Sequence, residues 1–139
     1  MPNIKFILSI VLFFTSKSWL IADTSNVYIG TITTSSQQIY SYKISFKVDK
    51  NGKLTGTSTT DIYGKNKTTS QIVGKIDEKN NRISFYETNN TATKSIANEN
   101  SFCFISIENI AIKKEKNKNI IMGEYIGKFK NNQECSKGN

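Results

Sequence analysis

Asp61, Glu87, Glu108 and Glu124 are the acidic residues that fall within strand-like stretches of this chain. Two carboxyls placed roughly 5–10 Å apart on either side of a glycosidic bond would hydrolyse it. Glu87 shares parity with Ile83 and Phe85, and Glu124 shares parity with Ile120 and Met122, so alternation alone allows an inward pair. The preferred reading puts both near strand ends within reach of water, because a buried charge without a partner is costly. Other chemistries fail on residue type. The 139 residues include no His, which removes Ser-His-Asp triads, Cys-His pairs and imidazole metal sites. Two Cys cannot form a four-thiolate centre. Gly56-Thr57-Ser58-Thr59-Thr60 lacks the second Gly of a nucleophile elbow, and Asp49-Lys50-Asn51-Gly52 lacks calcium-loop spacing. The expectation is a protein that is not an enzyme and needs no cofactor or metal.

These residues sit on elements that read as strands throughout. In Tyr40–Val48, Tyr40, Tyr42, Ile44, Phe46 and Val48 share one face, while Ser41, Lys43, Ser45 and Lys47 share the other. A period of two sustained over this stretch is a strand signature that no helix produces. Asp49-Lys50-Asn51-Gly52 is a tight-turn signal, and Leu54–Ile62 resumes as the return strand of a hairpin. Further strands are expected over Val27–Thr33, Thr68–Ile76, Arg82–Thr88, Phe102–Lys113 and Asn119–Phe129. The apolar parity switches between Ile107 and Ile110, which calls for a bulge or break near Asn109. Gly30, Gly56, Gly74, Gly123 and Gly127 recur within these stretches and point to bends or close backbone approach. The expected fold is all-β: a single antiparallel up-and-down meander, either a barrel or a strongly curled sheet, of seven or eight strands. A Greek-key sandwich is the other architecture compatible with this count.

A binding site follows from the same alternation. If Leu54, Gly56, Ser58, Thr60 and Ile62 face inward, they leave space and hydroxyl groups beside Tyr40, Tyr42 and Phe46. With Phe102, such a lining suits a small, partly polar or amphipathic ligand. An exposed edge strand rich in Thr is the competing explanation. Asn89–Asn100 is the longest non-periodic stretch, suited to a recognition loop. Asn66-Lys67-Thr68 and Asn89-Asn90-Thr91 fit the glycosylation pattern, which matters only in a eukaryotic host.

Residues 1–22 read as a secretory signal: Lys5, the apolar run Phe6–Phe14, and a break at Thr15–Ser18, with cleavage expected after Ala22 and an alternative after Ser18. Lys17 interrupts the run too early for a membrane span. No Cys follows the run to carry a lipid. Processing would leave a single domain over 23–139 and lower the formal charge from +8 to +6 by removing Lys5 and Lys17. Arg82 is the only Arg, and scattered Lys suits a solvated surface that resists edge pairing better than a nucleic-acid site. In an exported chain, periplasmic or secreted, Cys103 and Cys135 are expected to pair as a disulfide.

Tyr42-Lys43-Ile44-Ser45-Phe46, Gly52–Ser58, Ser70-Gln71-Ile72-Val73-Gly74, Ile83–Glu87 and Phe102-Cys103-Phe104 together resemble small exported β-proteins of Bacteroidetes bacteria, similar in layout to lipocalin-like and avidin-like barrels. The resemblance implies a barrel-like layout and carries no particular activity with it. The lipocalin Gly-x-Trp is replaced here by Gly30-Thr31-Ile32. The expected function is an exported, monomeric binding module for a small amphipathic ligand. The alternative is an inhibitor or secretion partner that meets an envelope protein through its outer surface and the 89–100 loop.

Overall fold

Alternation along the chain becomes curvature in the sheet. The computed structural model describes residues 25–139, so the expected signal over 1–22 lies outside the described residues. Among the described residues nine strands run in order: β1 (Asn26–Thr33), β2 (Ile39–Val48), β3 (Lys53–Thr60), β4 (Thr68–Asp77), β5 (Arg82–Thr93), β6 (Phe104–Glu115), β7 (Lys118–Ile121), β8 (Tyr125–Lys128) and β9 (Glu134–Gly138). A short 3₁₀ turn covers Glu99–Ser101. Every pairing is antiparallel and sequential along β1 to β6, after which β7 and β8 both pair with β6 and β9 pairs with β8. The sheet is therefore a meander, and the Greek-key alternative does not hold.

The sheet rolls into a curled half-barrel. Its two ends meet at a bridge between Thr34 and Gly138, where the Thr33 N–H donates to the Asn139 carbonyl at 2.6 Å and the Asn139 N–H returns to Thr33 at 3.2 Å. Curling needs places where neighbouring backbones can approach, and the register supplies two. Gly56 lies opposite Phe46, and Gly74 lies opposite Phe85. A Cβ on Gly56 would stand 2.1 Å from the Ser45 carbonyl oxygen, and one on Gly74 would stand 2.0 Å from that of Ser84. Each glycine thus lets an aromatic partner fold over it, which closes the curl and fills the gap at once.

Phe46 and Phe85 join Ile44, Leu54, Ile72 and Ile83 in one buried cluster on the inner face. Burying each of these side chains contributes about 1.5–3 kcal/mol. The Tyr28 ring stacks on Phe46 with centroids 5.9 Å apart. The hairpin between β2 and β3 closes as its sequence requires. Asp49 Oδ1 accepts from the Asn51 and Lys53 N–H groups, and Gly52 takes the left-handed conformation at φ 78°. The parity switch in β6 is a bulge: Ile83 pairs with Ile110 but Phe85 with Ile107, and Asn109 sits at φ 54°.

Three expectations are corrected. The stretch Asn119–Phe129 is two strands, because the chain leaves β6 at Met122–Glu124 and rejoins its other half as β8. A further strand, β9, follows where none was expected; eight strands form the continuous meander, and the short β7 pairs with β6 off that path. The 89–100 loop is shorter than expected, since β5 runs on to Thr93. Register shifts opposite Thr69–Ile72 restart its pairing after the alternation fails near Thr88.

Two stability predictions follow. Gly56→Ala should destabilise by about 1–3 kcal/mol, whereas Gly30→Ala, where a Cβ meets nothing within 4 Å, should be neutral or slightly stabilising. Urea unfolding of both variants checks the contrast. Cys103 and Cys135 are joined with Cα atoms 5.9 Å apart. Replacing both by Ser should cost about 3–4 kcal/mol on loop-entropy grounds, read in the same assay.

Candidate functional site

The inner face changes character along its length. On β3 the inward positions run from Leu54 through Gly56 to Ser58 and Thr60, and on β4 from Ile72 to Ser70 and Thr68. On β5 the inward row is Ile83, Phe85 and Glu87, and the register shift beyond Glu87 sets Asn90 opposite Ser70. One end of the interior is apolar and the other carries hydroxyls, an amide and a carboxyl.

Glu87 is the centre of the polar end. Although charged by type, it is only 8% exposed. Its Oε1 accepts from the Tyr42 hydroxyl at 2.9 Å and from the Ser58 hydroxyl at 2.5 Å, and its Oε2 accepts from the Ile105 N–H at 2.8 Å. The donors come from β2, β3 and β6, so one carboxyl ties together strands on opposite sides of the curl. Burial pushes the Glu87 carboxyl above its ordinary value, outweighing the opposing hydrogen bonds from Ile105, Ser58 and Tyr42. Burial likewise holds the Tyr42 phenol well above its usual range, reinforced by the neighbouring Glu87 charge.

Beside this carboxyl lies a cavity of about 320 Å³ bordered by Tyr40, Thr60, Ser70, Glu87, Phe102 and Tyr125. Ser95, Ala97 and Ser101, from the connection between β5 and β6, form part of its rim. That connection is held at one end by the Lys94 N–H donating to Lys67, and at the other by an ion pair between Lys130 and Glu99. Asn90 Oδ1 accepts from Ser70 at 2.9 Å, while the buried Asn90 Nδ2 has no protein partner among the described residues. A second cleft of about 460 Å³ opens between β1 and β7, with Tyr28, Ile44, Ile107 and Ile121 in its walls. Ile32, Ile105 and Tyr125 border both spaces. Tyr42 borders the second and Glu87 the first, so their hydrogen bond lies at the partition.

The sequence-derived residues divide cleanly. Tyr40, Thr60 and Phe102 line the smaller cavity, and Tyr42 and Ser58 hold its carboxyl. Phe46 does not reach it: at 1% exposure it belongs to the apolar cluster. The strand carrying Ser58 and Thr60 lies between β2 and β4, so it is not an edge strand. Cys103 also borders the cavity, and its disulfide anchors β9 beside the rim. The reading of Glu87 as a water-accessible strand-end residue is overturned, because Glu87 lies within β5 and is buried. Its carboxyl meets hydroxyl and amide donors, with no cation beside it among the described residues. Glu124 lies exposed between β7 and β8 and does not line the cavity with Glu87. Ser70, Asn90 and Ile105 were not anticipated. Ser70 alternates in step with Ile72 and was therefore accessible, whereas Asn90 depends on a register shift and Ile105 acts through its backbone.

Among the described residues no three His, Cys, Asp or Glu side chains stand close enough to hold a metal, and no helix is long and apolar enough to cross a membrane. The paired cysteines point to an oxidising, exported compartment. Comparison with family models, curated proteins and solved structures finds no match to this chain.

Glu87 carries a prediction of its own. Its raised pKa means that folding favours the protonated form. The Glu87 contribution to stability is thus complete below the ordinary carboxyl value and is lost as pH rises through the higher folded value. Wild-type stability should therefore decline with pH above about 4.5, and Glu87→Gln should flatten that decline. Urea midpoints measured from about pH 4 to pH 8 provide the check.

Proposed function

We propose that this protein is an exported binding module that takes a small amphipathic molecule into the polar end of its curled sheet. The observation that carries the reading is the cavity of about 320 Å³ beside Glu87, walled by Tyr40, Phe102 and Tyr125 and edged by Thr60 and Ser70. Its volume is at the lower end of the range for small-molecule sites, and its mixture of aromatic walls with a few convergent polar groups is what such sites use for affinity and orientation. The rim residues Ser95, Ala97 and Ser101 draw the β5–β6 connection into the same site. Loops on a rigid β scaffold are where selectivity is usually set. The protein acts in the periplasm or outside the cell as a monomer, without catalysing a reaction.

A second reading uses the same connection from outside. Ile96 is fully exposed there, and Ile29 and Met122 are exposed on β1 and just beyond β7. An envelope protein docking on this surface would make the module an inhibitor or secretion partner.

Native mass spectrometry of the protein isolated from its own host separates the two. A retained small molecule is expected, and it should be weakened or lost in Ser70→Leu, whose larger apolar side chain would intrude on the cavity and remove a lining hydroxyl. A co-purifying protein with no small molecule retained would favour the docking surface.

A further inference from the structure

We propose that the cavity selects organic cations, namely a small ammonium group on an apolar body, with Glu87 as the countercharge. This inference rests on the small-molecule reading above and specifies its chemistry. A carboxylate offers about four lone-pair sites to donors. In Glu87, which lines the cavity, three are taken, two on Oε1 by Tyr42 and Ser58 and one on Oε2 by Ile105, which leaves one acceptor position on Oε2. All three donors are neutral, so they satisfy hydrogen bonding without cancelling the charge.

Among the described residues no Lys or Arg lines the cavity, although the chain carries 19 basic residues and a net charge of +8. The second carboxyl of the lining is Asp61. Its Oδ2 accepts from the Asn66 N–H, and both acids repel an anionic ligand. Tyr40, Phe102 and Tyr125 add ring surfaces. Aromatic walls around a carboxylate are a combination suited to an ammonium with a hydrophobic body, which packs the body and attracts the charge together.

Proton and ligand then compete for one carboxylate. Burial favours the protonated Glu87 carboxyl and an ammonium favours the ionised one, so where Glu87 is protonated the arriving ammonium displaces the proton to solvent. The titratable groups around Glu87 and the cavity are Tyr42 on β2, Tyr40 at the start of β2, Asp61 after β3 and Tyr125 on β8. Neither β4 nor β6 contributes a charged side chain to the lining. Affinity for an ammonium should therefore rise with pH through the Glu87 titration and fall again only when the ligand itself loses its proton.

The test uses the oxidised mature protein and three probes of one shape: benzylammonium, benzyl alcohol and benzoate, followed by calorimetry. Benzylammonium is expected to bind at least about tenfold more tightly than benzyl alcohol, with benzoate weakest. Binding in buffers of different ionisation enthalpy should show proton release on the acid side of the Glu87 titration. Glu87→Gln should erase the preference for the cation, and Glu124→Gln, an exposed substitution away from the cavity, should keep it. Should Glu87→Gln fail to fold, the probe ranking and the proton release in the wild type remain decisive. Equal or tighter binding of benzyl alcohol or benzoate would overturn the charge selectivity while leaving small-molecule binding in place. Binding of none of the three, together with no molecule retained by the host-derived protein, would overturn both.

Discussion

Tyr42 and Glu87 lie on strands three places apart in the sheet, yet the phenol donates to the carboxyl at 2.9 Å. Neighbouring strands sit about 4.8 Å apart, so in a flat sheet β2 and β5 would be separated by roughly 14 Å. The bond can exist only because the sheet rolls its inner face onto itself. Conversely, the bond fixes how far the roll goes: Tyr42 must reach Glu87 while Ser58 and Ile105 reach the same carboxyl from β3 and β6. Four strands thus agree on one point in space. A half-barrel lacking a full seam between its first and last strands needs such an internal tie, because the Thr34–Gly138 bridge secures only one end of that join.

The tie depends in turn on what happens at the apolar end. Gly56 and Gly74 allow Phe46 and Phe85 to lie over the neighbouring backbone, and the buried cluster around them holds β2 to β5 in the curled shape. Packing supplies most of the favourable energy there, being nondirectional and proportional to the area removed from water. The polar end contributes little net energy for the groups it buries, since hydrogen bonds made within the fold replace hydrogen bonds to water. Its contribution is directional: three donors meet one acceptor group only in one arrangement of the strands. The apolar half makes the curl stable, and the carboxyl makes it specific.

Strand grammar was readable because alternation reports a local property. Tyr42, Ile44 and Phe46 face one way whatever the rest of the chain does, and the Asp49–Gly52 turn is dictated by its own residues. The Asn109 bulge was also legible, because a parity switch between Ile107 and Ile110 has no other economical solution. Features that depend on distant pairing were hidden. Residues 134–138 hold few apolar side chains, and they become β9 because Cys135 is tied to Cys103 and β8 offers an edge. Glu87 posed the hardest problem. Its parity pointed inward, but the cost of burying a lone charge argued the other way, and the donors that resolve the conflict lie 45, 29 and 18 residues distant in sequence. Phe46 was misplaced for a related reason: parity gives the face of a strand, not the position along it where the interior changes from packed to hollow.

An acid at this position is a poor choice for stability alone. An apolar residue of similar size would avoid the desolvation, and it would also remove the need for Tyr42 and Ser58 to turn their hydroxyls inward. Breaks in the local rules of folding tend to cluster where a protein does something other than fold. Here several coincide among the described residues: a buried carboxyl without a cation, a buried amide nitrogen on Asn90 without a protein partner, and a hollow where the sheet has the side-chain positions to fill it. Larger apolar residues at Thr60, Thr68 and Ser70 would have extended the core to the rim. Small hydroxyl residues at these three inward positions leave the space open and line it with donors and acceptors, which is the arrangement a bound polar group requires.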